Sequence, residues 1–299
     1  MSLYEFLGTI EVGLVFGLVA LGAFLSFRVL QFPDLTVEGS FPLGAAVAAV
    51  LILKGVPPGA ATLAAGASGF AAGYLTATLN VRFGILNILA GILVAIGLYS
   101  INLRVMGGPN APLLGQRTIF SGLNGFGVPS FWLTPLLAGA IVVTVKFALD
   151  LFLSTGVGLA MRAAGANPAM SAANGVDVGR MKLLGLGMAN ALTALSGALF
   201  AQLFGAADAY MGIGVVIVGL ASVIVGNSLL PARTLVLATF ACLVGALLYR
   251  FAVALALNAD FLGLQASDVQ LVTAALVALT LIAQRSPGRM GRLFKAGAR

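Results

Sequence analysis

Long apolar runs recur along this 299-residue chain, separated by short polar stretches. A helix of about 20 apolar residues crosses the hydrocarbon core of a bilayer. Lipid offers a bare amide no hydrogen-bond partner, so runs of this kind fold as helices whose backbone is satisfied internally. Composition agrees: 60% of residues are hydrophobic and 8% are charged. The expected fold is all-α, a polytopic membrane protein of about nine segments. These lie at residues 3–27, 41–53, 59–79, 84–103, 131–153, 183–204, 211–230, 234–257 and 269–283, with a short turn at Asn80, Val81 and Arg82. Residues 1–285 read as one transmembrane domain and 286–299 as a basic tail. The first run carries Glu5 and Glu11 where a secretory signal would carry basic residues, and no clear cleavage site follows, so it reads as a mature span. The run 41–53 is short, which leaves open whether 31–53 crosses the membrane or re-enters it.

A net charge of +7 would point a soluble protein toward nucleic acid. Here the basic residues flank spans and serve to orient them, so no nucleic-acid role is expected. The tail residues Arg285, Arg289, Arg292, Lys295 and Arg299 have no acid among them, which assigns the C-terminus to the cytoplasm. Alternating back places the N-terminus outside. Arg28, Arg82, Lys146, Arg162, Arg180, Lys182, Arg233 and the tail then fall inside, against Lys54, Arg104, Arg117 and Arg250 outside. The Gly/Pro-rich connection 106–130 becomes extracytoplasmic. The single Cys242 lies in an apolar run and reads as a packing residue.

The polar island 154–182 reads as two short helices meeting at a corner. Residues 158–164 form the first, with Gly165 at a left-handed C-terminal cap. Asn167 caps the second, Pro168 takes its first position, and the helix runs to Asn174 and stops at Gly175. The small residues Ala163, Ala164, Ala166, Ala169, Ala172 and Ala173 leave a slim surface that a partner protein can cover closely. The plain alternative is an ordinary connecting loop.

Two stretches are candidates for a solute path. Pro33 and Gly39 bracket a break whose Asp34, Thr36, Glu38 and Ser40 would face a polar cavity, or else a solvated loop. Asn87, Tyr99, Ser100 and Asn102 interrupt the fourth segment, and Asn190 and Gln202 the sixth. Segments one to four and six to nine share a layout, with Asp34 before the short second segment matching Asp208 before the seventh. With one span between them, the two halves would be inverted repeats, a recurring transporter plan. Small-xxx-small spacings, such as Gly66, Gly69 and Gly73, with Gly185, Gly187, Gly219 and Gly226 elsewhere, read as helix-packing positions.

Other chemistries fail by composition. Gly66-Ala67-Ser68-Gly69 resembles the serine motif of rhomboid proteases, but the chain has no histidine to activate the serine. It has no P-loop, no Cys/His cluster and no Arg-rich helix. No catalytic residue, metal site or bound cofactor is expected, and an enzyme is not the favoured class.

Asp34-Leu35-Thr36-Val37-Glu38-Gly39-Ser40, followed by an Ala/Gly-rich run, is similar to the DLSVG region of ribose-type ABC importer permeases. Arg162-Ala163-Ala164-Gly165-x-Asn167-Pro168-x-x-Ser171-Ala172-x-x-Gly175-Val176 resembles the cytoplasmic coupling segment of the branched-chain amino acid and ribose permease group. Leu89-Ala90-Gly91-Ile92-Leu93, with the run 98–107 and Pro109-Asn110, looks like the tryptophan/tyrosine-type permeases. Glu38 departs from the sugar-permease pattern, which favours an amine-bearing solute over a sugar.

The resemblance implies the rest of a machine. The chain would be the permease subunit of an ATP-driven importer in the bacterial inner membrane, paired with a second permease chain as a homodimer. An ABC ATPase subunit would carry ATP and magnesium, and a solute-binding protein or lipoprotein would deliver the solute. Arg162, Ala163, Gly165, Asn167, Pro168, Ala169, Ser171 and Gly175 would form the ATPase-coupling corner. Asp34, Thr36, Glu38, Ser40, Asn87, Tyr99, Asn102 and Asn190 would line the substrate pathway. The alternatives are a stand-alone secondary transporter using Asp34 or Glu38 for ion coupling, and a non-transporting membrane subunit.

Overall fold

The computed structural model describes residues 3–121, 130–230, 234–257, 271–275 and residue 278. The described residues are almost entirely helical. Helix α1, Leu3–Ala23, continues as a π-helix over Phe24–Val29. Then come α2 (Val37–Leu53), α3 (Pro58–Phe83) and α4 (Asn87–Met106). A short strand β1 (Asn110–Pro112) leads toward α5 (Ser130–Ser154), and α6 (Gly156–Ala166) and α7 (Pro168–Ala173) form the corner. Helix α8 (Val178–Phe204), strand β2 (Ala206–Asp208), α9 (Val215–Leu229) and α10 (Leu235–Leu257) complete the series. Among the described residues, five helices are long and apolar enough to cross a membrane, and α2 and α9 are shorter apolar helices. The expected ninth segment and the basic tail lie largely outside the described residues.

Helix α8 is the axle of the bundle, packed against α1, α2 and α3. Its contacts are made through glycines. A Cβ on Gly44 of α2 would strike the Ala194 carbonyl, and one on Gly197 would strike the Phe41 carbonyl. Gly69 and Gly73 of α3 lie equally close to the Asn190 and Leu186 carbonyls, and Gly226 and Gly245 join α9 to α10 the same way. In lipid, burying apolar surface drives little association, so close backbone approach and dispersion hold helices together. The glycine spacing read from sequence serves this purpose.

Several boundaries differ from expectation because caps, not hydropathy, end these helices. Helix α3 runs through Asn80, Val81 and Arg82 to Phe83 and stops where Gly84 turns left-handed at φ 68°, so the expected turn is a helix end. Helix α2 starts at Val37, which puts Gly39 inside the helix and confines the break to residues 30–36. Helix α8 starts at Val178, because Asp177 accepts from the Arg180 amide at 3.0 Å, and this brings Arg180 and Lys182 into the helix. Lys146 and Arg250 are not loop charges. Lys146 sits within α5, ion-paired to Asp150, whose Oδ1 accepts from Thr239 of α10 at 2.7 Å.

The described helices repeat in two halves. Helix α1, a break and α2 correspond to α8, a break and α9, and α3 corresponds to α10. Helix α1 starts beside Phe204 and ends beside Gly165 of the corner; α8 starts at the corner and ends at the β1–β2 ribbon. The halves therefore run in opposite directions. Their local geometry matches at positions 174 apart, as Asp34 and Asp208 are. Asp34 accepts from the Thr36 amide at 2.9 Å, and Asp208 from the Tyr210 amide at 2.7 Å. Three residues before each aspartate the backbone is left-handed, at Gln31 (φ 52°) and Gly205 (φ 75°). The α1–α8 crossing is reciprocal: Gly22 lies against the Ala189 carbonyl, while Ser196 donates to the Val15 carbonyl at 2.7 Å.

Candidate functional site: a polar break and an exposed corner

The first break carries a closed polar network. Asn190 lies near the middle of α8 and donates to Asp34 Oδ2 at 2.6 Å and to the Leu186 carbonyl at 3.0 Å. Its own Oδ1 accepts from Ser40 at 2.7 Å. Thr36 and Thr76 share a hydroxyl hydrogen bond of 2.7 Å. Asp34, Thr36, Ser40, Thr76 and Asn190 are all fully buried. Asp34 has no ion-pair partner among the described residues. The network ties the break to α3 and α8, so a segment without helical hydrogen bonds still satisfies its polar groups in an apolar setting.

The remaining pathway candidates are spread out. Glu38, in the first turn of α2, accepts from the amide of Gly214, the N-cap of α9, at 3.3 Å. Gly212 packs on the Glu38 carbonyl, so the starts of α2 and α9 meet here. Asn102 donates to the Gly39 carbonyl at 3.3 Å, and its buried Oδ1 has no partner among the described residues. Asn87 lies apart at the corner end, where it accepts from Asn80 at 2.7 Å while Lys182 donates to Asn80 at 3.2 Å. Tyr99 is exposed and shares a 2.8 Å hydroxyl hydrogen bond with Tyr210 of the second break. Gln202 joins α8 to Thr62 of α3 at 2.8 Å and accepts from the Ile119 amide at 3.1 Å. Sequence reasoning missed Thr76 and Tyr210. Neither carries a local signal, because each enters through a helix distant in sequence.

The corner forms much as read. The Asn167 side chain accepts from the Met170 amide at 3.0 Å, Pro168 opens α7, and Gly175 is left-handed at φ 82°. Gly165 is a correction: it lies inside α6, and the helix ends at Asn167 in extended geometry. Its lack of a side chain serves packing, since a Cβ there would strike the Val29 carbonyl at the end of the π-helix. Met161 and Ala164 are buried beside it. Arg162, Ala163, Asn167, Pro168, Ala169 and Gly175 remain exposed, and Ser171 is buried. The corner is thus a shelf with one face locked to α1 and the other open.

A bundle of apolar helices, with α2 and α9 each starting after an irregular break, is the build of a multi-pass membrane protein, and comparison with known proteins makes it a permease subunit rather than an enzyme. The chain belongs to the branched-chain amino acid transport system / permease component family, whose match covers residues 6–286. It is 39% identical over 265 residues to the tyrosine transport system permease protein of Clostridioides difficile (strain R20291), covering 88% of this chain and 86% of that protein. It is also 31% identical over 279 residues to an uncharacterized protein of Rickettsia prowazekii (strain Madrid E), covering 91% of this chain and 95% of the other. No solved structure matches.

Proposed function

We propose that this chain is the membrane-spanning subunit of an ATP-driven importer for an amino-acid-like solute, and that a separate ATPase docks on the α6–α7 corner. The carrying observation is the build of the corner. Gly165 seats α6 directly on the backbone of Val29, and Gly185 of α8 lies against Leu30 and Met161. A push on the exposed face is therefore delivered to the end of α1, next to the first break. That is the contiguous, packed contact a two-state transporter needs between its motor and its gate. The tyrosine permease relative favours an aromatic amino acid as solute. The corner faces the cytoplasm, the ribbon end faces outward toward a binding protein, and two permease chains pair in the inner membrane.

The test is a mild-detergent pull-down of the full chain from its native membrane, with companions identified by mass spectrometry. An ATPase subunit is expected in stoichiometric amount and is lost in Ala169→Trp, whose site is exposed. Gly165→Trp is a poorer variant, because its side chain would collide with α1. A homo-oligomer without an ATPase would overturn the reading.

A further inference from the structure

A cavity of about 470 Å³ opens at the ribbon end, between α1, the last turn of α8 and α10. Arg250 of α10 and the acids Glu5 and Glu11 of α1 line it, with Leu203, Phe204 and Val253 as apolar walls. Arg250 holds its guanidinium carbon 4.5 Å from the centre of the Phe16 ring. Its Nε is buried and has no hydrogen-bond partner among the described residues. Neither Arg250 nor Glu11 takes part in an ion pair among the described residues, although they share the cavity.

This arrangement is costly unless something completes it. A buried guanidinium nitrogen left without a partner is destabilising, and an ionisable side chain within a membrane span marks a functional site by default. Arg250 and Glu11 line one cavity, as does the exposed Glu5, and Arg250 closes on neither acid in an ion pair among the described residues, which leaves room for a ligand that carries both charges. The apolar walls, including the exposed Phe204 ring stacked 4.3 Å from Phe200, suit an aromatic or branched side chain.

We propose that this cavity receives the zwitterionic head of an α-amino acid, with its carboxylate on Arg250 and its ammonium group on Glu11. The inference rests on the amino-acid reading above and adds a place and two contacts to it.

The experiment is equilibrium dialysis of radiolabelled L-tyrosine against the full-length chain in nanodiscs, with tyramine and 3-(4-hydroxyphenyl)propionate as competitors. Wild type is expected to bind L-tyrosine at least tenfold more tightly than either competitor, each of which lacks one charge. Arg250→Gln and Glu11→Gln are each expected to weaken L-tyrosine binding at least tenfold, and Arg250→Lys to restore most of it. In Glu11→Gln the propionate should compete as well as L-tyrosine. Gel filtration checks that the variants fold, and Glu11→Gln carries the test if Arg250→Gln does not. Unchanged binding in the folded variants, or equal binding of all three compounds by wild type, overturns the proposal. Uptake by the assembled transporter separates the two readings. Amino-acid uptake without tyrosine binding by the chain removes the cavity alone, whereas absence of any amino-acid uptake removes the solute reading as well.

Discussion

The two breaks in the bundle share a backbone and differ in everything around it. Each places an aspartate three residues after a left-handed position, and each aspartate accepts from the amide two residues on. Asp34 is sealed among Thr36 and Asn190, with Ser40 and Thr76 one hydrogen bond further out. Asp208 ends the β1–β2 ribbon, is only partly buried, and stands beside the exposed Tyr210–Tyr99 pair. The comparison teaches that a repeated turn supplies geometry alone. The neighbours decide whether the turn becomes a structural lock or an accessible polar surface.

The largest effect is expected from Asn190→Leu. It removes the donor to Asp34 Oδ2 and the acceptor for Ser40 together, where both partners are fully buried. A loss of about 3 kcal/mol is expected, because buried polar groups left unpaired cost far more than a hydrogen bond contributes. Thermal unfolding of the detergent-solubilised chain measures it, and an unchanged transition would mean that water reaches the first break and satisfies its polar groups.

Next comes the pair Asp34→Asn and Asp208→Asn. Either variant keeps an oxygen for the local turn. At position 34, however, a new amide donor faces the Asn190 amide donor, and relieving the clash by flipping Asn190 forfeits its bond to Leu186. About 1 kcal/mol is expected at position 34, and only a few tenths of that at position 208, where solvent compensates. Equal effects at the two sites would erase the distinction.

Glu38→Gln tests the point where the halves meet. The amide oxygen can still accept from Gly214, so assembly should be unchanged while uptake kinetics alter with the lost charge. Identical kinetics would remove Glu38 from the solute path. The smallest effect belongs to Tyr210→Phe. It deletes one exposed hydroxyl contact and keeps the ring packing on Tyr99, so no measurable shift in unfolding temperature is expected. A large shift would show that the second break is as tightly locked as the first.

Much of this was legible in the residues themselves. The apolar runs dictated membrane helices because lipid leaves the backbone no other partner. Asn167, Pro168 and Gly175 announced the second corner helix because capping is a local matter, settled within four residues. The matched aspartates hinted at the repeat for the same reason. Gly165 was misread because a glycine after a short helical run can serve a left-handed cap or a close approach, and only the position of Val29 distinguishes them.

What the tertiary structure alone decided is pairing across distance. Thr36 finds Thr76, Ser40 finds Asn190, and Glu38 finds Gly214 over separations of 40, 150 and 176 residues. The same holds for Arg250 and Glu11, which share a cavity without touching. Sequence determines which groups must be satisfied once water is excluded. Which partner satisfies them depends on how closely glycine-faced helices can approach, and that is a property of the packed bundle.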